Sequence, residues 1–168
     1  MSSTRDQEVE AFVLARGPAL LRTAHLLTGD RGHAEDLLQQ ALERMVRHWS
    51  RIDQDPEGWV RRTLVNLSTD RWRHRARRPR EVGGQVPDRA ASAEPTSRVE
   101  DRQQLVQALR VLTPRQRAVL VLRYFDDLSE AQVAVLLGCS VGTVKSTSSK
   151  ALARLRTEAT TIPSGSCP

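Results

Sequence analysis

The sequence predicts an all-α protein of two small helical domains joined by a flexible linker, and three observations carry that prediction. Hydrophobic residues make up 39% of the chain but aromatics only 4%, so any core is built from Leu, Val and Ala, which favour helices over a sheet. Apolar residues recur at spacings near 3.6 in both halves of the chain, with no strand alternation and no internal repeat. Between the halves lies PREVGGQVPDRAASAEPTSR, residues 79–98, which holds almost no large apolar residue and reads as the linker. At 168 residues the chain suffices for one ordinary domain or two small ones.

The helical pattern runs from Val9 to Arg47, broken once. Phe12, Leu20, Leu21, Ala24 and Leu27 form the first stripe, and "TGD" then interrupts it. Asp30 caps the next helix, whose stripe is Ala34, Leu37, Leu38, Ala41, Leu42 and Met45. Asp55 followed by Pro56 marks another N-cap and first helical residue, opening a helix that carries Trp59, Val60, Leu64, Val65 and Leu67. After the linker, periodicity resumes near Val99 with Leu105, Ala108, Leu109 and Leu112. Thr113-Pro-Arg-Gln116 and Ser129-Glu-Ala-Gln132 are capping boxes, and Ser140 caps the last helix.

The two helices between Ser129 and Arg156 are joined by "LGCS", with Gly138 allowing a tight turn. Ala131, Val133, Ala134, Leu136 and Leu137 are expected to face inward on the first, and Val144, Ala151, Leu152 and Leu155 on the second. That is a helix-turn-helix, whose second helix enters the major groove. It presents Thr143, Lys145, Ser146, Thr147, Ser149 and Lys150 outward: small hydroxyls let the backbone approach a duplex, and the lysines reach phosphates or guanine edges. A net charge of +6 fits a polyanionic partner or, because Arg greatly outnumbers Lys, equally an Arg-biased genome.

Two features mark the N-terminal half. AEDLLQQALERM, residues 34–45, sets Glu35, Asp36, Gln39, Gln40 and Glu43 outside its apolar stripe, a polar face suited to a protein groove. WVRRTLVNLSTDRWRHRARR, residues 59–78, crowds arginines around Trp72 and His74. Charges that track phosphates, interleaved with a ring that stacks on bases, are what a nucleic-acid strand needs.

Together "LTGDRGHAEDLLQQALERM", "WVRRTLVNLSTDRWRHR", "LTPRQRAVLVLRYFDDLSEAQVAVLLGCSVGTVKS" and "ALARLR" resemble an extracytoplasmic-function sigma factor, with the recognition helix similar to the actinobacterial SigE-like branch. The resemblance implies sigma region 2 over residues 1–78, the linker over 79–98, sigma region 4 over 99–157 and a tail over 158–168. It implies binding to core RNA polymerase and to promoter DNA, as duplex at the −35 element and as single-stranded non-template DNA at the −10 element. Asp36, Leu37, Gln40 and Glu43 would dock on the polymerase. The loop from about Ser50 to Gly58, with Asn66, Asp70, Arg71, Trp72, Arg73 and Arg77 of the following helix, would engage the −10 element and capture a flipped base. The residues from Thr143 to Lys150 named above would read the −35 element. An anti-sigma factor is a further partner of such proteins. The chain departs from the family at Thr147-Ser-Ser149, where many relatives carry an Arg and a bulky residue, and at Ala41 and Val46, which are smaller than usual.

Other classes find less support. An autonomous helix-turn-helix repressor or activator would need an apolar self-association face, and none stands out. His25, His33, His48 and His74 show no metal-ligand spacing, and no nucleophile–base pairing is legible, so neither cofactor nor catalysis is expected. Cys139 and Cys167 suggest no structural disulfide. No apolar run approaches membrane-spanning length and MSSTRDQEVE does not read as a signal peptide, so a cytoplasmic location without membrane insertion is expected.

Overall fold

The computed structural model describes residues 2–52, 54–77 and 96–161, and every regular element among them is helical. The chain splits into two compact units, Met1–Arg89 and Ala90–Pro168. Of the linker expected over 79–98, residues 79–95, and of the tail expected over 158–168, residues 162–168 with Cys167, lie outside the described residues, whereas residues 96–98 and 158–161 are helical.

The first unit holds α1 (Ser2–Thr28), α2 (Arg31–His48), a 3₁₀ turn (Trp49–Arg51) and α3 (Pro56–Arg77), and its three α-helices pack on one another. Gly29 ends α1 with φ 72°, a conformation glycine adopts without strain, and its N–H donates to the His25 carbonyl at 2.8 Å. Asp30 then caps α2 by accepting the His33 N–H at 2.8 Å. Leu20, Ala24, Leu27, Ala34, Leu37, Ala41, Met45, Val60, Leu64 and Val65 are buried, so the expected stripes do meet. Pro18 lies inside α1, where it leaves the Leu14 carbonyl without its helical donor. The helix also starts earlier than its apolar pattern, at Ser2 rather than near Val9.

The second unit holds α4 (Thr96–Leu109), α5 (Pro114–Leu120), a π turn (Val121–Phe125), α6 (Glu130–Leu137) and α7 (Val141–Thr161). Both capping boxes close: Thr113 and Gln116 exchange bonds at 3.1 and 3.2 Å, Ser129 and Gln132 at 2.8 and 3.1 Å. Ala118, Val119, Leu120, Val121 and Leu122 are buried in succession, which makes α5 and the start of the π turn a central element covered on all sides. Both α5 and α6 pack on α7. Arg117 donates from Nε to the Leu109 carbonyl at 3.0 Å and from a terminal nitrogen to the Leu112 carbonyl at 3.4 Å, tying α5 to the last residue of α4 and to the turn that follows it.

Several sequence expectations shift in register. Helix α4 begins at Thr96, not Val99, and buries Val106 with Leu109 while Ala108 is exposed and Leu105 half-buried. Ala131 is likewise exposed, because α6 turns Val133 and Ala134 onto α7 instead. Helix α7 continues past Arg156 to Thr161, with Thr157 and Thr160 hydroxyls donating back to the Ala153 and Arg156 carbonyls at 3.1 and 2.8 Å. The π turn had no local signal. Its Val121 carbonyl accepts from Asp126 five residues on at 3.0 Å, and Asp127 at φ 54° reverses the chain.

Candidate nucleic-acid interface

Helix α7 is presented by its cap and its register. Ser140 Oγ accepts the Thr143 N–H at 3.1 Å, and Cys139 N–H closes the preceding turn onto the Ala134 carbonyl at 3.0 Å with Gly138 at φ 64°. Val144, Ser148 and Ala151 then point inward at 0%, 9% and 0% exposure. That spacing leaves Lys145, Ser146, Ser149 and Lys150 on the open face, while Thr143 and Thr147 sit half-buried at its margin. These are the chain's two lysines, and both project from one face of one helix. Ser148, a polar member of the inward stripe, escaped the sequence reading because its type matches its exposed neighbours. Sequence reasoning also missed Glu130, at the first position of α6, whose Oε2 lies 3.8 Å from Lys145 Nζ.

Helix α3 carries the arginine-rich face. Asn66, Asp70, Arg73 and Arg77 are all exposed at spacings of four, three and four, so they share one side. Trp72 stands 52% exposed between charged neighbours. Arg73 reaches Asp70 at 3.8 Å, a solvent-exposed pair that a stronger anion displaces readily. Arg71 departs from the expected strand face. It is half-buried, its Nε has no hydrogen-bond partner, and it lies near His33 on α2. Burial lowers the His33 pKa below its ordinary value and the Arg71 and Arg75 charges lower it further, against Asp30, whose Oδ1 lies 3.4 Å from His33 Nδ1.

Helix α2 offers a polar outer face. Asp36, Gln40 and Glu43 are exposed, with Gln39 donating to Glu43 at 3.4 Å and Arg47 3.9 Å from it. Leu37 corrects the sequence expectation: at 2% exposure it belongs to the core of the bundle, because its position on the helix puts it between Ala34 and Ala41 on the inward stripe. Val46, 40% exposed, extends the outer face with an apolar surface. Between α2 and α3, Asp55 caps α3 by accepting the Gly58 N–H at 2.8 Å. Among the described residues no cluster of His, Cys, Asp and Glu could hold a metal, and no helix is long and apolar enough to cross a membrane.

Comparison with known proteins accounts for both units. Residues 12–78 match the Sigma-70 region 2 family and residues 102–155 match the Sigma-70, region 4 family. The chain belongs to the sigma-70 family. It is 41% identical over 153 residues to an RNA polymerase sigma-E factor of Streptomyces coelicolor, covering 90% of this chain and 85% of that one. Identity to the Streptomyces avermitilis sigma-E factor is 44% over 154 residues, covering 90% and 84%. The ECF sigma factor SigL of Mycobacterium tuberculosis is 34% identical over 145 residues, covering 82% and 80%, in keeping with the extracytoplasmic-function group. Among solved structures, the sigma factor RpoE in complex with the anti-sigma factor NepR from Bartonella quintana superposes with a TM-score of 0.71 at 25% identity, covering 93% of this chain and 99% of that one. CnrH, solved with the cytosolic domain of CnrY, shares the fold with a TM-score of 0.70 at 19% identity, covering 94% and 90%. This sigma factor therefore binds core RNA polymerase and directs it to promoters to begin transcription. An autonomous regulator would leave the region 2 match over residues 12–78 without a role.

Proposed function

We propose a division of labour between the two units of this sigma factor. In the first, Asp36, Gln40 and Glu43 of α2 form the docking face for core polymerase. The loop from Ser50 to Gly58, with Asn66, Asp70, Trp72, Arg73 and Arg77 of α3, holds the single-stranded −10 element and assists melting. In the second, α7 enters the major groove of the −35 element, with Lys145 and Lys150 on phosphates or guanine edges and Ser146 and Ser149 allowing close approach. Thr143 and Thr147 flank that contact. The role is that of a cytoplasmic specificity subunit whose chemistry is recognition rather than catalysis. An anti-sigma factor that masks the polymerase-binding face is the regulator proposed for it.

The observation that carries this reading is the register of α7. With Val144, Ser148 and Ala151 inward, both lysines, Ser146 and Ser149 share one exposed face. Because Lys145 and Lys150 are the chain's two lysines, amine-reactive footprinting followed by peptide mass spectrometry reads occupancy of that face directly. Holoenzyme on a promoter should protect both lysines relative to holoenzyme alone. Equal labelling rates with and without promoter would remove α7 from the DNA.

A further inference from the structure

We propose that one stripe of α1, formed by Arg5, Glu8, Phe12 and Arg16, is a positioning strut that holds both ends of the loop joining α2 to α3, and so sets how strictly the −10 bases are discriminated. The inference rests on the reading that this loop meets the −10 element.

The four residues are spaced by three, four and four, which stacks their side chains along one side of a helix. At the loop's entry, the Arg5 guanidinium donates to the Val46 carbonyl. Glu8 accepts from Trp49 Nε1 at 3.2 Å, and the Phe12 ring meets Trp49 edge-on, centroids 6.1 Å apart at 62°. At the exit, Arg16 Nε lies 3.1 Å from Glu57 Oε2, while the other oxygen of Glu57 takes Arg61 at 2.6 Å. The two ends also touch each other, since the His48 and Trp59 rings lie 6.0 Å apart at 31°. The loop thus leaves and rejoins the bundle at points fixed to the same rod.

The buried residues of α1 begin only at Leu20, and every described side chain from Thr4 to Ala19 is exposed or half-buried. A helical extension that contributes nothing fully buried to the core, yet spends four side chains on one turn and one helix start, is accounted for by the loop it holds. A binding loop fixed at its ends has less freedom to lose on contact and less freedom to refit around a wrong base. Glu8, Phe12 and Arg16 act through the loop and are positioning residues, not contact residues.

The test uses holoenzyme reconstituted with core polymerase at saturation. Initiation is measured on a promoter selected from genomic fragments by run-off transcription and on the same promoter with single −10 bases exchanged. The readout is the ratio of the two rates, from which any misfolded fraction cancels. Glu8→Ala and Trp49→Phe should each lower the ratio roughly fivefold, as expected for one lost hydrogen bond that orients the loop, and the double variant should fall no further. Glu8→Gln, which keeps an acceptor for the indole, should retain the wild-type ratio, and Phe12→Ala should reduce it without changing affinity for core. A wild-type ratio in both Glu8→Ala and Phe12→Ala overturns the strut. Wild-type protein that initiates equally on all −10 variants would instead overturn the reading of the loop on which the strut depends.

Discussion

Replacing Glu130 by Gln separates the part of Lys145 that serves the fold from the part that serves DNA. The two charged atoms lie 3.8 Å apart, with side chains 35% and 63% exposed. At that distance the attraction is about 1 kcal/mol in water, and holding two mobile side chains in place cancels much of it. Folding stability should therefore change by less than about 0.5 kcal/mol. Binding to duplex DNA should change more. Losing the carboxylate frees Lys145 for a phosphate and removes a like charge from the groove edge, a net gain of about one neutralised phosphate. The slope of log K against log salt should steepen by about 0.9. Between 50 and 200 mM salt, a fourfold change, the variant should lose about 3.5 times more affinity than wild type. Fluorescence anisotropy of a labelled duplex across a salt series measures this. A variant with the wild-type slope would refute the claim that the Glu130 carboxylate competes with a DNA phosphate for Lys145, whatever its absolute affinity.

The correction at Leu37 has its own signature: Leu37→Ala should cost about 2–5 kcal/mol of stability, whereas Asp36→Ala should leave thermal unfolding unchanged and weaken core binding in a pull-down titration. Failure of Asp36→Ala to weaken that binding would move the docking face elsewhere. At His33, burial and the neighbouring arginines hold the folded pKa below the ordinary value of 6.5, so the unfolded chain binds the proton more tightly. Stability should be full above about pH 6.5 and decline as pH falls below it. His33→Gln should flatten that decline in a melting series, and an unaltered profile would assign it to other groups. Gly138→Ala meets no atom within 4 Å but must hold φ at +64°, so it should cost about 1 kcal/mol through the backbone alone. By melting, that is a fall of roughly 4–8 °C for a unit of this size, and no fall would mean the turn relaxes.

What the sequence determined by itself was what a few consecutive residues decide. Asp30, Asp55, Thr113, Ser129 and Ser140 each satisfy an amide three residues ahead, an interaction closed within one turn and therefore visible in the order of residues. The stripes that meet in the first unit, the glycine that ends α6, and the open face of α7 with its lysines were legible for the same reason. What only the tertiary structure decided involves partners distant along the chain. Arg71 leaves the strand face because α2 lies beside it, and Lys145 meets a carboxylate supplied by α6. The first turns of α1 show no apolar period, since what holds them is Val46 and Trp49, about forty residues away. No local pattern encodes such contacts, because their free energy exists only once the helices have packed.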